Sequence, residues 1–241
     1  MIHKNTLSII IPCKNEENYI GNLLEDLSNQ KRIKNVPIII ADADSTDNTL
    51  GVIEYYEHRY PELNIKVIKG GSVSYGRNRG AEEVDSKYIL FIDADVKLYS
   101  NNLLVDTIFE MDLGVKHLLT CKLKSYSNDW KSKLAFKFYN IVHYFLIKKY
   151  PFAIGAYFCV NRTEFVKYGM FNEQSDNSED FLFSQNFKPN EFAVLNHYIG
   201  QDNRRFQKMG YVGMGLHLLR NLIQYMKNGR TEFTKKSKYW E

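Results

Sequence analysis

Short runs of apolar residues alternate with helix-like segments through the first hundred residues, and this alternation limits the possible folds more than any other feature. Each run lacks the polar alternation of a half-exposed strand, so each predicts a strand buried on both faces. The intervening segments repeat apolar side chains every three or four positions, as one helix face does. The order β-α-β-α-β-α-β predicts an α/β fold with a mostly parallel sheet flanked by helices. The four runs are residues 7–12, 37–41, 65–68 and 87–92.

Glycines and weaker patterns complete the expected element order. Glycines at 70, 71 and 76 predict a loop, with the third helix beginning near Asn78. Residues 152–160 predict a strand interrupted by Gly155. We expect one domain, residues 1–212, made of a regular first half (1–100) and a less regular second half (101–212), followed by a helical extension over 213–241.

Composition excludes several protein classes. With 44% hydrophobic and 25% charged residues, the 241-residue chain is neither disordered nor collagen-like. No run approaches the roughly 18 apolar residues of a membrane-spanning helix, and the first residues do not resemble a signal peptide. Cys13, Cys121 and Cys159 are too scattered for a disulfide framework or a zinc site. These features predict a cytoplasmic protein with reduced thiols.

Positive charge is concentrated in two segments. Residues 122–150 carry seven lysines against Asp129, and residues 204–241 carry nine basic residues against two acidic ones. Lysines interleaved with aromatic residues in helices 129–150 and 213–227 are typical of helices that lie on an anionic membrane surface. For a cytoplasmic protein, this surface would be the inner face of the membrane. The alternatives are solvated helices, core packing or a homodimer contact. We expect no nucleic-acid partner.

Polar residues follow the predicted strands at the end where parallel sheets bind ligands. Asp93 and Asp95 stand two residues apart after the fourth strand. Two adjacent carboxylates repel each other unless a cation lies between them or one is protonated. Carboxylate oxygens suit Mg²⁺ or Mn²⁺, which are commonly shared with substrate phosphates. The pattern favours a metal-phosphate site over a solvated loop that caps a helix.

Four motifs stand in order along the first hundred residues: SIIIPCKNE at 8–16, ADADSTDNT at 41–49, GRNRGA at 76–81 and FIDAD at 91–95. Together they resemble a family 2 glycosyltransferase of the GT-A fold, a Rossmann-like architecture. The resemblance implies an inverting enzyme that uses a divalent metal and moves one sugar from a UDP- or GDP-linked donor to a glycan or lipid-linked acceptor. It implies that residues 1–100 are the nucleotide-binding half of the domain and residues 101–212 the acceptor and catalytic half.

The resemblance assigns the donor base and ribose to the first two loops. It implies that Pro12 and Glu16 meet the nucleoside and that Asp42 hydrogen-bonds the base. The sequence has Asp-Ala-Asp where the family more often has Asp-Asp-Gly, so Asp44 is an alternative to Asp42. For Asp44 and Asp47, capping of the following helix is the favoured interpretation.

The third and fourth motifs supply the diphosphate site in this comparison. Arg77 and Asn78 match the segment that reaches the diphosphate or ribose, and an arginine offers two parallel donors to phosphate oxygens. The resemblance implies that Asp95 coordinates Mn²⁺ or Mg²⁺ and that Asp93 helps to hold both the ribose and the metal.

Residues 171–180 (FNEQSDNSED) resemble the family segment that ends in a catalytic Glu-Asp pair. By resemblance, Asp180 is the general base that takes the proton of the acceptor hydroxyl, and Glu179 belongs to the donor site. Gly155 matches a small residue near the donor sugar. The alternative for Glu179 and Asp180 is capping of a helix over 181–187.

Residues 201–206 (QDNRRF) resemble the Arg-Arg-aromatic segment of smaller family members. Arg204 and Arg205 would clamp the leaving diphosphate, and the alternative is surface charge. Two other functions compete: a non-catalytic nucleotide-sugar-binding subunit of a glycan assembly complex, and a phosphatase in which Asp93 is the nucleophile. The position of Asp93 after three βα units disfavours the phosphatase.

Overall fold

The computed structural model describes residues 6–174, 178–211 and 213, without the side chains of residues 205, 206 and 208. The strands are β1 (Leu7–Cys13), β2 (Pro37–Asp42), β3 (Asn64–Lys69), β4 (Tyr88–Phe91), β5 (Lys97–Leu98), β6 (Leu118–Ser125), β7 (Phe158–Asn161) and β8 (Phe192–Gln201). The helices are α1 (Ile20–Ser28), α2 (Thr49–Arg59), α3 (Val73–Glu82), α4 (Leu103–Asp112), α5 (Trp130–Leu146), α6 (Arg162–Lys167), α7 (Glu179–Ser184) and α8 (Arg204–Met209).

All these strands form one mixed sheet in the order β3-β2-β1-β4-β7-β6-β8-β5. The first four are parallel, as the sequence predicts. β7 then runs antiparallel to both β4 and β6, while β8 is parallel to β6 and antiparallel to β5. The α/β class with helices on both faces is therefore confirmed, and the sheet is continuous across both predicted halves of the domain.

Side chains of successive strand residues fill two cores on opposite faces of the sheet. Ile9 and Ile11 of β1 pack on one face with residues of α1 and α2, including Leu23. Ile10 points to the other face, where it packs with Ala81 of α3 and the rings described below. Burying each such side chain contributes about 1.5–3 kcal/mol, so both faces stabilise the sheet.

Helix α3 begins five residues earlier than the sequence predicts. Ser72 caps it by accepting a hydrogen bond from the Tyr75 backbone nitrogen at 3.3 Å. Gly76, interpreted above as part of a loop, lies inside the helix. A side chain there would have its Cβ 3.3 Å from the Cβ of Ala41, so the glycine lets α3 pack closely on β2.

The predicted strand over 152–160 is wrong in its first half. β7 begins only at Phe158, and the preceding residues form a loop with a single bridge between Ile154 and Tyr157. Glu179 and Asp180 lie within the first turn of α7 and do not precede it. No element is predicted from the sequence for the residues of α4, β6 and β8. For α4 a signal was present, because its buried residues Leu103, Leu104, Ile108 and Met111 repeat at helical spacing.

Most of the predicted C-terminal extension, 213–241, including helix 213–227, lies outside the described residues. Within the part of the chain that the structure describes, no helix has the length and apolar character needed to cross a membrane. Cys13, Cys121 and Cys159 are buried free thiols. The cytoplasmic location stays a prediction.

Candidate active site

The candidate site lies at the carboxyl ends of β1, β2 and β4, where the strand order of the sheet reverses direction. β1 has β2 on one side and β4 on the other, so the loops after these strands are neighbours. Such a switch in strand order is the usual ligand site of open α/β sheets. Asp42 is the last residue of β2, Glu16 follows β1, and Asp93 and Asp95 follow β4.

Arg77 of α3 is the buried centre of this site. Its side chain is 2% exposed, and its Nη2 lies 2.7 Å from Asp93 Oδ1. Its Nη1 donates to Glu179 Oε1, and its guanidinium carbon lies 5.6 Å from the centre of the Phe171 ring. Burial alone would lower the pKa of Arg77, but Asp93 and Glu179 outweigh it and raise the pKa. Arg77 thus joins the segment after β4 to the start of α7.

The phosphate contact implied for Arg77 remains a prediction, because its Nη1 and Nη2 atoms both contact protein carboxylates in this structure. The Phe171 ring that contacts Arg77 belongs to a cluster of phenylalanines. The other members come from β4, β7, α6 and α7. Centroid distances within the cluster are 5.1–6.0 Å. Its members are Phe91, Phe158, Phe165, Phe171 and Phe183.

Asp180 is held by two backbone donors. Its Oδ2 accepts from the Gly155 nitrogen at 2.7 Å, and its Oδ1 accepts from the Phe181 nitrogen at 2.7 Å. Burial raises the pKa of Asp180, although Arg77 and the two backbone donors oppose the shift. Burial likewise raises the pKa of Glu179. A raised pKa makes Asp180 a stronger proton acceptor than an exposed aspartate.

Gly155 is the point where the arginine and the aspartate meet. A Cβ on this residue would lie 2.3 Å from Arg77 Nη2, closer than any non-bonded contact allows. Because Arg77 is fixed by two carboxylates, its guanidinium has no room to move away. Only glycine fits between Arg77 and Asp180, which explains the small residue at this position.

Asn78 anchors the segment that precedes α7. Its Nδ2 donates to the Phe171 carbonyl and to Glu173 Oε1, each at 2.9 Å, and its Oδ1 accepts from the Phe171 nitrogen at 3.0 Å. The amide is buried and engaged within the protein. Its implied contact with a donor stays a prediction.

Arg204 of α8 closes the other side of the site. Its Nη1 and Nη2 lie 3.0 and 2.7 Å from the two Glu16 oxygens, and Nη2 lies 2.8 Å from Asp95 Oδ2. Its guanidinium also stacks 4.9 Å from the Tyr19 ring centre. Burial raises the pKa of Glu16 although Arg204 opposes the shift. The Arg205 side chain lies outside the description.

The acidic residues at the end of β2 and in the following loop differ in their contacts. Asp42 is buried, and its oxygens accept from the Ser45 backbone nitrogen and hydroxyl at 3.0 and 2.6 Å. Asp47 accepts from the Thr49 nitrogen at the start of α2, as predicted for a capping residue. Asp44 does not cap; its carboxylate is 80% exposed and lies 3.7 Å from Lys69. Half-buried Pro12 lies against the start of α3.

The carboxylates after β4 are chemically compatible with a divalent cation whose remaining ligands would come from a bound molecule. Among the described residues, no group of three or more acidic, histidine or cysteine side chains could hold a metal alone. Asp93 and Asp95 supply oxygen ligands, and the structure already has a cation, the Arg204 guanidinium, against Asp95. Mg²⁺ and Mn²⁺ are commonly bound by one or two carboxylates together with phosphates.

Three site residues escaped the sequence analysis. Tyr126 donates to the Asp95 carbonyl at 3.2 Å, and Tyr19 donates to Asp202 at 3.4 Å. Asp202 stands two residues before Arg204, and Tyr19 stands three residues after Glu16. Their closeness in sequence to motif residues could have identified both. Tyr126 is 31 residues from Asp95 and offered none.

His143 connects α5 to the loop that carries Gly155, and its burial predicts a pH effect on stability. The buried ring bonds through Nε2 to the Phe152 carbonyl at 2.8 Å and stacks on Tyr139. Burial lowers its pKa from 6.5, so the folded ring is neutral where the unfolded one takes a proton. Stability should therefore fall as the pH drops below about 6.5, by up to about 1.4 kcal/mol per pH unit.

Urea unfolding from pH 7.5 to 5 tests this expectation. As the pH falls, the unfolding free energy of the wild type should decrease more than that of His143→Phe. His58→Phe, the same substitution at an exposed position of α2, is the matched control. Parallel pH curves for wild type and His143→Phe would contradict the prediction.

The family of this chain follows from its match to a family model. The family model described as glycosyl transferase family 2 matches residues 8–162, which is more than half of the chain. The chain belongs to glycosyl transferase family 2. This confirms the predicted family and, with it, the prediction of a glycosyltransferase.

Individual relatives of this family 2 chain are distant. The uncharacterized glycosyltransferase YibD from Escherichia coli K12 is 34% identical over 109 residues, 45% of this chain and 31% of YibD. A mannosyltransferase from Pyrobaculum calidifontis, solved with GDP-Man and Mn²⁺, superposes with a TM-score of 0.73 at 14% identity, over 92% of this chain and 64% of that one. Staphylococcus aureus TarS with UDP-GlcNAc gives 0.62 at 22%, over 80% and 58%. The chain thus spans less than two thirds of each protein, and the two structures support the fold alone.

Proposed function

We propose that this chain moves one sugar from a nucleotide-diphosphate sugar to an acceptor hydroxyl, with Asp180 as general base. One observation carries the proposal: Arg77 contacts both Asp93, in the segment that would hold the diphosphate, and Glu179, the neighbour of Asp180. A transferase needs its donor-binding and proton-accepting groups in one place.

The nucleoside would lie over the loops after β1 and β2. Glu16 and Asp42 supply carboxylate acceptors there, with Pro12 as an apolar surface. The two neighbouring structures hold GDP-Man and UDP-GlcNAc, so both UDP and GDP donors are candidates. Arg204 lies beside Asp95, within reach of a diphosphate at this site, and would clamp it together with Arg205.

Asp93 and Asp95 would hold a Mn²⁺ or Mg²⁺ ion together with the donor diphosphate. When bound, such an ion stabilises the negative charge that develops on the leaving diphosphate. Arg77 keeps Asp93 oriented, and Tyr126 fixes the backbone at Asp95.

Asp180 would take the acceptor proton during attack. The acceptor oxygen forms a bond to the anomeric carbon while the bond from that carbon to the diphosphate oxygen breaks. The diphosphate leaves with the electron pair, and the proton passes to Asp180. Attack from the face opposite the diphosphate inverts the anomeric configuration. The Gly155 and Phe181 nitrogens hold the carboxylate in place for this step.

We assign the transferase unit to residues 1–212 and expect a glycan or lipid-linked acceptor. Single-sugar addition is the expected mode. A non-catalytic subunit that only binds the donor would share the first loops but would not need Asp180 held by two backbone donors.

Donor binding is the first test of this proposal. Melting temperatures are measured with UDP-, GDP- and dTDP-linked sugars, with and without Mn²⁺. One nucleotide class should stabilise the wild type, by about 2.7 kcal/mol at a ligand concentration 100 times the dissociation constant. The part of this stabilisation that depends on Mn²⁺ should be lost in the Asp95→Asn variant.

Glu57→Gln, an exposed carboxylate change on α2, is the matched control and should behave as wild type. No stabilisation by any nucleotide sugar, in a folded sample with Mn²⁺, would contradict the donor site. Donor binding without any transfer or donor hydrolysis, over a range of acceptors, would favour the non-catalytic subunit.

A further inference from the structure

Helix α5 presents a continuous apolar ridge to its surroundings. We define the ridge as the side chains spaced four, four, three and four residues apart along the helix, which places them on one face. Each is at least half exposed, and no described residue covers this face. Phe138 and Phe145, for example, are 66% and 62% exposed. The ridge consists of Trp130, Leu134, Phe138, Ile141 and Phe145.

The opposite face of α5 anchors the helix in the protein. Ser132, Phe136 and His143 are buried, and Asn140 exchanges hydrogen bonds with the Leu123 backbone at 3.0 and 2.7 Å. Asp129 caps the helix by accepting from the Lys131 and Ser132 nitrogens. The outward direction of the ridge is therefore fixed by packing and does not result from a loosely attached helix.

Lysines frame the ridge, and acidic residues are absent from it. Residues 130–150 contain five lysines and no aspartate or glutamate. Lys133 and Lys137 lie along one edge of the ridge and Lys131 along the other, and Lys148 and Lys149 follow the helix end. A soluble helix normally exposes its polar face, whereas here five large apolar side chains point outward between positive charges.

We infer that α5 docks on the surface of an anionic lipid bilayer, with the ridge among the acyl chains and the lysines at the headgroups. Apolar and aromatic side chains flanked by lysine are the chemistry of interfacial helices. The 17-residue helix is about 25 Å long and would lie parallel to the surface. An anionic polymer would pair with the lysines but would leave the phenylalanines in water, so lipid is the better match.

This surface lies next to the candidate site and is independent of the proposed reaction. The inner face of α5 contacts the loop of Gly155 through the His143 bond to Phe152. A membrane against the ridge would therefore bring the acceptor half of the molecule to the bilayer. Vesicle binding can be measured without donor or acceptor, so failure of one proposal does not imply failure of the other.

Trp130 makes the test specific to the ridge. In a Trp240→Phe background of the whole 241-residue chain, Trp130 is the remaining tryptophan. Its emission should shift to the blue with vesicles of phosphatidylglycerol and phosphatidylcholine, and brominated acyl chains should quench it. Vesicles of phosphatidylcholine alone should bind much more weakly.

Paired variants separate the apolar and the charged contributions. Phe138→Ser with Phe145→Ser should weaken vesicle binding about tenfold or more. Lys133→Gln with Lys137→Gln should weaken it by roughly 25-fold, since each lysine near an anionic surface contributes about fivefold. Phe109→Ser, an equally exposed phenylalanine on α4, is the control and should bind as wild type. Urea unfolding confirms that each variant is folded.

Three outcomes would overturn the inference. Vesicle binding without quenching of Trp130 would assign the contact to another segment. A wild-type dimer that Phe138→Ser with Phe145→Ser dissociates, without vesicle binding, would make the ridge a contact between two copies. Protection of Trp130 from acrylamide without lipid would mean that the chain itself, including residues 214–241, covers the ridge.

Discussion

Asp180→Asn is expected to lower the turnover number by about 10²–10⁴, the usual contribution of a positioned general base. The variant keeps the size of the side chain but cannot accept the acceptor proton. Donor affinity should change little, because Asp180 contacts backbone nitrogens of Gly155 and Phe181 and not the loops after β1, β2 and β4. Transfer kinetics and donor titration on the same preparation measure both quantities.

The pH profile distinguishes a base from a structural residue. In the wild type, kcat/KM should fall on the acidic side as Asp180 becomes protonated, and burial moves this limb to higher pH than for an exposed aspartate. Asp180→Asn should lack the limb. Glu57→Gln should retain both rate and profile. An Asp180→Asn variant with near-normal turnover, or with the acidic limb intact, would exclude Asp180 as the base.

Arg77→Met is expected to destabilise the protein by about 3–5 kcal/mol, the typical cost of removing one partner of a buried ion pair. Methionine fills similar space, but Asp93 and Glu179 would lose their shared cation in a buried environment. Without Arg77 the pKa of Glu179 should rise further. The folded state would then bind protons more readily than the unfolded one, so the loss of stability should be smaller at pH 5 than at pH 8.

The same helix supplies a control for this prediction. Arg79 lies two residues further along α3, is 48% exposed and pairs only with the exposed Glu82 among the residues described. Arg79→Met should change stability by no more than about 0.5 kcal/mol. Adding Glu179→Gln to Arg77→Met should recover part of the lost stability in a double-mutant cycle. Equal effects of Arg77→Met and Arg79→Met in urea unfolding would refute the buried pair.

Parts of the site could be predicted because they depend on short stretches of chain. The apolar runs of β1 and β4 identify strands, and the residues that follow them, Glu16 and Asp95, fall at the ligand-binding end of any parallel sheet. Asp47 could be assigned to the start of α2 because its partner, Thr49, is two residues away. Such local contacts are encoded within a few positions and do not require the sheet order.

Other expectations failed where packing overrode a local signal. Gly76 weakens an isolated helix and therefore predicts a loop, but its close contact with Ala41 stabilises the helix that contains it. The apolar stretch before Phe158 looks like strand, yet its backbone instead bends so that Gly155 reaches Asp180. Contacts with distant residues decided both cases.

The sequence by itself determined the α/β class, the parallel strands β1 to β4, the family and the segments that form the site. Only the tertiary structure decided how those segments meet. Arg77 turns inward between Asp93 and Glu179, which is 102 residues away, and Arg204 reaches Glu16 across 188 residues. The periodicity of apolar residues indicates which face of a helix or strand is buried. The partners of a buried charge depend instead on strand order and on desolvation, and no single stretch of sequence determines these.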